Sequence, residues 1–138
     1  MALIVQKYGG TSVGSLERIQ AVADRVIRTR NEGHDVVVVV SAMSGETDRL
    51  LDLARGLANR PAGREVDVLL STGEQVTIAL LSISLQEKGQ GAVSFTGAQV
   101  RILTDSAFNK ARILDIDGAQ VRKALSERVP LIGFAGAP

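Results

Sequence analysis

Lys7-Tyr8-Gly9-Gly10-Thr11-Ser12-Val13-Gly14-Ser15 joins two segments of opposite character, and its reading decides the fold. Before it stands Leu3-Ile4-Val5, a short unbroken apolar run with β-branched residues, the pattern of a strand covered on both faces. After it, Leu16, Ile19, Val22, Ala23, Val26 and Ile27 recur at three- and four-residue spacing. That spacing predicts a helix, which Ser15 can cap and Gly33 can end. Val36 to Val40 repeats the strand pattern, so the opening of the chain reads as a βαβ unit of the right-handed kind.

Further along, Leu50, Leu51, Ala54, Leu57 and Ala58 predict a second amphipathic helix, terminated by Asn59-Arg60-Pro61. A third is predicted from Arg64 to Lys88, ending at Gly89. It carries Val66, Leu69, Leu70, Val76, Leu80, Leu81 and Leu85, is apolar over much of its circumference, and is expected to be largely buried. Strands are expected at 92–95, 111–116 and 131–134, with a helix at 120–126. Alternating strands and helices give a layered α/β/α sandwich with a mostly parallel sheet.

Composition narrows the function classes. A chain of 138 residues with 45% hydrophobic content can bury one core. With 16 Lys plus Arg against 15 Asp plus Glu, the net charge of +1 leaves no electrostatic footprint for nucleic acid or an anionic membrane, so small-molecule partners are expected. The absence of Cys removes disulfides, thiolate zinc sites and Cys nucleophiles together. His34 is the only histidine and lies in a polar turn, which leaves no candidate triad and no transition-metal site. The longest apolar runs in sequence are too short for a bilayer, and Met1 leads straight into a strand without a leader-like pattern. The expectation is a cytoplasmic protein.

Ligands of open α/β sheets gather at the carboxyl ends of strands, and three segments stand out as candidates. In Lys7 to Ser15, adjacent glycines and a helix start can hold an anion, with Lys7 as a point charge suited to a transferring phosphoryl group. The spacing is that of neither a P-loop nor a dinucleotide fingerprint, and an ordinary glycine turn is the competing reading. In Ser41-Ala42-Met43-Ser44-Gly45-Glu46-Thr47-Asp48, hydroxyls beside a helix start can bind a carboxylate, or can simply cap the helix. In Ser71-Thr72-Gly73-Glu74-Gln75, a glycine inside a helix, which costs about 1 kcal/mol, sits beside a carboxylate that needs a partner. A ligand ammonium or a protein Arg or Lys could serve Glu74.

Together with Phe95-Thr96-Gly97-Ala98-Gln99 and Ala111-Arg112-Ile113, these segments resemble aspartate kinases in order and spacing. The resemblance implies an amino-acid kinase fold and transfer of the γ-phosphoryl of ATP, as its Mg2+ complex, to the side-chain carboxylate of L-aspartate. It implies that Lys7 contacts the transferring phosphate, with Tyr8, Gly9, Gly10 and Ser41 near the ATP phosphates. Thr47 and Glu74 would bind aspartate, Glu74 through its α-ammonium, in a protein expected to form homo-oligomers. The resemblance covers residues 1–128 as the aspartate-binding part, while 129–138 departs from the family pattern. The nucleotide-binding part and ACT domains of the family are absent from the sequence, so this chain alone is expected to phosphorylate aspartate poorly. A non-catalytic, self-associating fragment and another amino-acid kinase are the alternatives.

Overall fold

The strand that precedes the glycine turn is β1, Leu3–Tyr8, which pairs in parallel with β2, Asp35–Val40, in a register that sets Lys7 opposite Val39 and Tyr8 opposite Val40. The computed structural model describes residues 2–97, 99–100, 102–107, 112–116, 118–127 and 130–134. Between β1 and β2 runs α1, Leu16–Asn31, and the predicted signals hold: the Ser15 side chain accepts from the Arg18 N–H, and Gly33 follows the helix at φ +94°. A short 3-10 helix, Gly10–Val13, fills the turn itself.

The second helix, α2, spans Glu46–Leu57, and the third, α3, spans Gly63–Glu87. Both precede β3, Val93–Phe95. Two strands not anticipated as a pair follow: β4, Ile102–Thr104, and β5, Ile113–Ile116, form a separate antiparallel ribbon with an irregular register at Leu103 and Thr104. The expected strand at 111–116 therefore does not join the main sheet, and Ala111 lies outside the described residues. Helix α4, Ala119–Ser126, leads to β6, Leu131–Phe134.

The main sheet is parallel, in the order β1-β2-β6-β3. The chain moves from β1 to β2 to β3 in one direction and returns to insert β6. Right-handed crossovers then place α1 and α3 on one face and α4 on the other, which gives three layers.

The core fills the first interlayer space. Val36, Val38 and Val40 of β2 meet Ile19, Val22 and Val26 of α1 and Ile78, Leu81 and Leu85 of α3. Fully buried residues such as Ile19, Leu81 and Leu85 each contribute about 1.5–3 kcal/mol of transfer free energy. The opposite face is less covered: Leu3 and Val5 are exposed, while Val37 and Val39 are half-buried.

Helix α3 departs from expectation. It is long and apolar enough to cross a membrane by composition, yet only a third of its most apolar stretch is buried, and Val68, Val76 and Ile83 face outward. A helix apolar over much of its circumference was expected to be largely buried. Here α1, α2 and the sheet cover one side only.

Candidate active site

Two of the candidate segments are loops that leave adjacent parallel strands at the same sheet edge. The Ser41 N–H donates to the Tyr8 carbonyl at 3.2 Å and the Ser44 N–H to the Gly10 carbonyl at 3.2 Å, so the second loop is tied along the first. The approach needs glycine. A Cβ on Gly10 would stand 2.9 Å from the Ala42 carbonyl oxygen, and one on Gly14 would stand 3.3 Å from the Ser44 Cβ. Gly9, whose added Cβ would meet nothing within 4 Å, is open to solvent. At the start of the 3-10 helix, the backbone N–H groups of Gly10 and Thr11 have no partner among the described residues, the arrangement that accepts an anion.

Lys7 lies on the face of β1 that carries Leu3 and Val5, is exposed, and makes no ion pair among the described residues. Its free ammonium stands at the strand end, next to the glycines. Tyr8 is different. Its side chain is buried against α1, where its hydroxyl donates to Gln6 Oε1 at 2.9 Å and Gln6 Nε2 donates to Thr29 Oγ1 at 2.8 Å. Burial pushes this hydroxyl above its ordinary range, with the Arg25 guanidinium acting against that rise. Tyr8 thus anchors the loop from below.

The start of α2 is not capped by a hydroxyl. Its N-cap is Gly45, in the left-handed conformation at φ +82°, without a side-chain cap. The cap thus lies within the expected span 44–47 but no hydroxyl of Ser44 or Thr47 makes it, and the exposed Thr47 hydroxyl stands in the first helical turn with no partner among the described residues. Beside it, Arg49 donates twice to the Glu46 carboxylate, at 2.6 and 3.1 Å, which holds the Glu46 carboxyl below its ordinary range.

The third segment meets the second at Gly73. A Cβ there would stand 3.3 Å from the Ala42 Cβ, the Glu46 Cγ and the Leu50 Cδ1, so the glycine admits the protein's own helix rather than a ligand. Thr47 and Glu74 each follow directly on one member of the Gly73–Glu46 contact. Glu74 is half-buried, and no described residue bonds to it or pairs with it. Burial alone pushes its carboxyl above the ordinary value of 4.5. The reading in which a protein Arg or Lys satisfies Glu74 finds no such residue among those described.

Sequence reasoning missed Ala42, the point that touches both Gly10 and Gly73 and links the three segments. Its one signal is size, since the side chain that meets Gly73 must be small, whereas the contact with Gly10 is made by the backbone carbonyl. Among the described residues no cluster of three or more His, Cys, Asp or Glu could hold a metal ion. His34 serves structure: its Nδ1 accepts from the Ala2 N–H at 3.0 Å.

The chain is 62% identical over 138 residues to an aspartate kinase from Pseudomonas putida and 56% identical over 138 residues to an aspartokinase from Geobacillus stearothermophilus. Each match takes in 99% of this chain and 34% of the relative, so the chain spans about a third of the length of these curated relatives. The crystal structure of an aspartate kinase from Synechocystis superposes with a TM-score of 0.79 at 50% identity, over 98% of this chain and 22% of that one. Escherichia coli aspartokinase III in complex with aspartate and ADP superposes with a TM-score of 0.76 over 96% of this chain and 40% of that one. At 22% identity it bears on the fold alone. Residues 2–137 match the amino acid kinase family, and with the parallel sheet and its tied strand-end loops this establishes that the chain belongs to the amino acid kinase family.

Proposed function

We propose that this chain is the aspartate-binding part of an aspartate kinase, which transfers the γ-phosphoryl group of MgATP to the side-chain carboxylate of L-aspartate. The observation that supports the reading is the meeting of three segments around Ala42: the glycine turn, the Thr47 hydroxyl and the half-buried Glu74 carboxylate, the last two without a partner among the described residues. The identities with aspartate kinases of two bacteria support the choice of substrate.

In this reading the nucleotide's phosphates lie over Gly9, Gly10 and Ser41, with the backbone at Tyr8 fixing the turn. An oxygen of the aspartate side chain attacks the γ-phosphorus. The new P–O bond forms as the bond to the β–γ bridging oxygen breaks, and ADP leaves. The Lys7 ammonium stabilises the negative charge on the transferring group, a contribution of the kind worth about 10²–10³ in rate. Thr47 and Glu74 hold the substrate, Glu74 by pairing with the α-ammonium, so that the attacking oxygen is oriented. No covalent step on the protein is required. Magnesium enters as part of the nucleotide complex and neutralises phosphate charge. The adenine pocket lies in the portion of the relatives that this chain does not span, and the assembled enzyme acts in the cytoplasm as a homo-oligomer.

An ATP-dependent aspartyl-phosphate assay, trapped with hydroxylamine, tests the reading on this chain and on a longer one of the relatives' length. The longer chain is expected to turn over with aspartate and the 138-residue chain to show little or no turnover. Activity of the longer chain on another acid or on a nucleotide, and none on aspartate, would overturn the substrate assignment. Calorimetric titration of aspartate into the longer chain is expected to lose affinity on Glu74→Ala, and undiminished affinity would remove Glu74 from the site.

A further inference from the structure

One face of α1 gathers three cations. Arg18, Arg25 and Arg28 stand seven and three residues apart, a spacing that sets them on the same side of the helix, and all three are exposed. None of them makes an ion pair among the described residues. Arg25 and Arg28 are one turn apart and repel each other, so the helix by itself gains nothing from the arrangement. The acids of α1 do not relieve it. Glu17 and Asp24 lie outside the cleft that the arginines line, and Asp24 is taken by Lys88 at 2.9 Å.

That cleft measures about 260 Å³ and also takes in Tyr8 at the end of β1 and Ser12 of the 3-10 helix, with no acidic side chain in its lining. Ala21 stands between Arg18 and Arg25 on the same face, and its small side chain leaves the space open. Tyr8 sets the floor. Its buried hydroxyl donates to Gln6 Oε1 at 2.9 Å and presents its oxygen to the Arg25 guanidinium, which therefore turns into the cleft instead of extending into solvent. Because the Tyr8 proton is already given to Gln6, the donors left for a ligand are the guanidinium groups and the Ser12 hydroxyl, which has no partner among the described residues.

A guanidinium fork holds two oxygens of an oxyanion through parallel hydrogen bonds, and three such groups suit a ligand with more than one negative charge. The volume lies below the range of about 300–1,000 Å³ usual for sites of drug-sized molecules, which favours a small ion over a nucleotide. We propose that the cleft between α1 and Tyr8 binds a phosphate dianion, free or as the head of a small monoester, held by Arg18, Arg25, Arg28 and Ser12. This site is separate from the glycine turn and Lys7. Lys7 and Tyr8 are successive residues of a strand and point to opposite faces of the sheet, so the two sites open on different sides. The proposal rests on the fold and the charges and not on the assignment of substrates, so the two can fail independently.

The chain carries its own probe, because Tyr8 is its one tyrosine and it has no tryptophan. Inorganic phosphate, titrated into the 138-residue chain at constant ionic strength, is expected to change the Tyr8 emission saturably, and calorimetry to give the same affinity, while chloride does neither. Arg25→Gln and Arg28→Gln are each expected to weaken binding about tenfold or more. Arg25→Lys is expected to weaken it as well, since it keeps the charge and loses the fork. Arg60→Gln, exposed in the loop after α2, is expected to leave it unchanged. Arg28→Gln carries the test if Arg25→Gln lowers the melting temperature, since Arg25 supports Tyr8. Glycerol phosphate bound more tightly than inorganic phosphate identifies an ester as the ligand, and equal or weaker binding identifies the free ion. Absence of saturable binding in both measurements overturns the proposal, as does an equal loss on Arg28→Gln and Arg60→Gln. Binding lost on Lys7→Met and kept in Arg25→Gln and Arg28→Gln places the ion at the glycine turn and overturns it too.

Discussion

Gly10 lies so close to Ala42 that a Cβ built on it would stand 2.9 Å from the Ala42 carbonyl oxygen. Both partners are backbone, held by the Ser44 N–H to Gly10 carbonyl bond, so neither can move aside cheaply. Gly10→Ala is therefore expected to destabilise the fold by about 1–3 kcal/mol, the usual range for an added methyl in a packed site. Gly9→Ala meets nothing within 4 Å and its backbone, at φ −79° and ψ 174°, suits any residue. Thermal melts of the two variants check the contrast, and equal losses would show that the loops are not clamped at Gly10.

At Gly73 two effects of opposite sign compete. Alanine gains about 1 kcal/mol of helix propensity over glycine in a helix interior. Its Cβ would meet Ala42, Glu46 and Leu50 at 3.3 Å each, and Ala42 and Leu50 are buried and hemmed in. Overpacking costs about 1–3 kcal/mol, so the net expectation is a loss of about 1 kcal/mol. A chemical denaturation curve with a midpoint above wild type would show that α2 yields at this contact.

Gly45 is held at φ +82° as the N-cap of α2, with open space around its Cα. Only backbone strain opposes a side chain there. Gly45→Ala is expected to cost about 1–2 kcal/mol, and Gly45→Asn less, because asparagine tolerates the left-handed region. If denaturant midpoints of the two variants coincide, that conformation is not what fixes the start of α2.

Glu74 gives a pH signature. Burial raises its folded-state pKa above the ordinary 4.5, so the proton is held more tightly folded than unfolded. That contribution to stability is fully present below the ordinary value and is lost as pH rises through the raised folded value. At neutral pH the native chain carries a half-buried charge that Glu74→Gln removes. The variant is expected to melt above wild type at pH 7, with the difference shrinking as pH falls through the raised folded value towards the ordinary 4.5 and gone below about 4. A difference that stays constant with pH would mean that the glutamate is not desolvated.

The sequence made the first half of the fold legible through local signals that agree with one another. Two β-branched runs, the Ser15 cap, and Gly33 and Gly89 with their positive φ mark elements whose ends lie where expected. The order of the sheet was not legible, because β6 enters between β2 and β3 through long-range pairing that no local pattern encodes. Of the β4–β5 ribbon, β5 falls within the strand expected at 111–116, while β4 and the antiparallel pairing were missed because a three-residue strand with an irregular register hardly exceeds loop statistics. In α3 the apolar residues announce a helix but not which of them is covered, since composition cannot distinguish a face packed by α1 from a face left open. At the site, residue types and order pointed to Lys7, Gly10, Thr47 and Glu74 as candidates. That Glu74 lacks a described partner, and that Ala42 touches both glycines, depend on packing across the layers.

Lys7 separates stability from chemistry. It is exposed and unpaired among the described residues, so Lys7→Met is expected to shift stability by no more than about 0.5 kcal/mol. In a longer chain competent for turnover, the same change removes the charge proposed to face the transferring phosphoryl group and is expected to lower kcat by about 10²–10³ with little change in the KM for aspartate. Lys88→Met provides the control. Lys88 pairs with Asp24 at 2.9 Å on the surface, so its loss is expected to cost about 0–1 kcal/mol and leave kcat unchanged. Steady-state kinetics and melts on both variants decide the matter. If Lys7→Met and Lys88→Met lose activity alike, or if Lys7→Met acts only on the KM for aspartate, then the ammonium at the end of β1 does not act on the phosphoryl group.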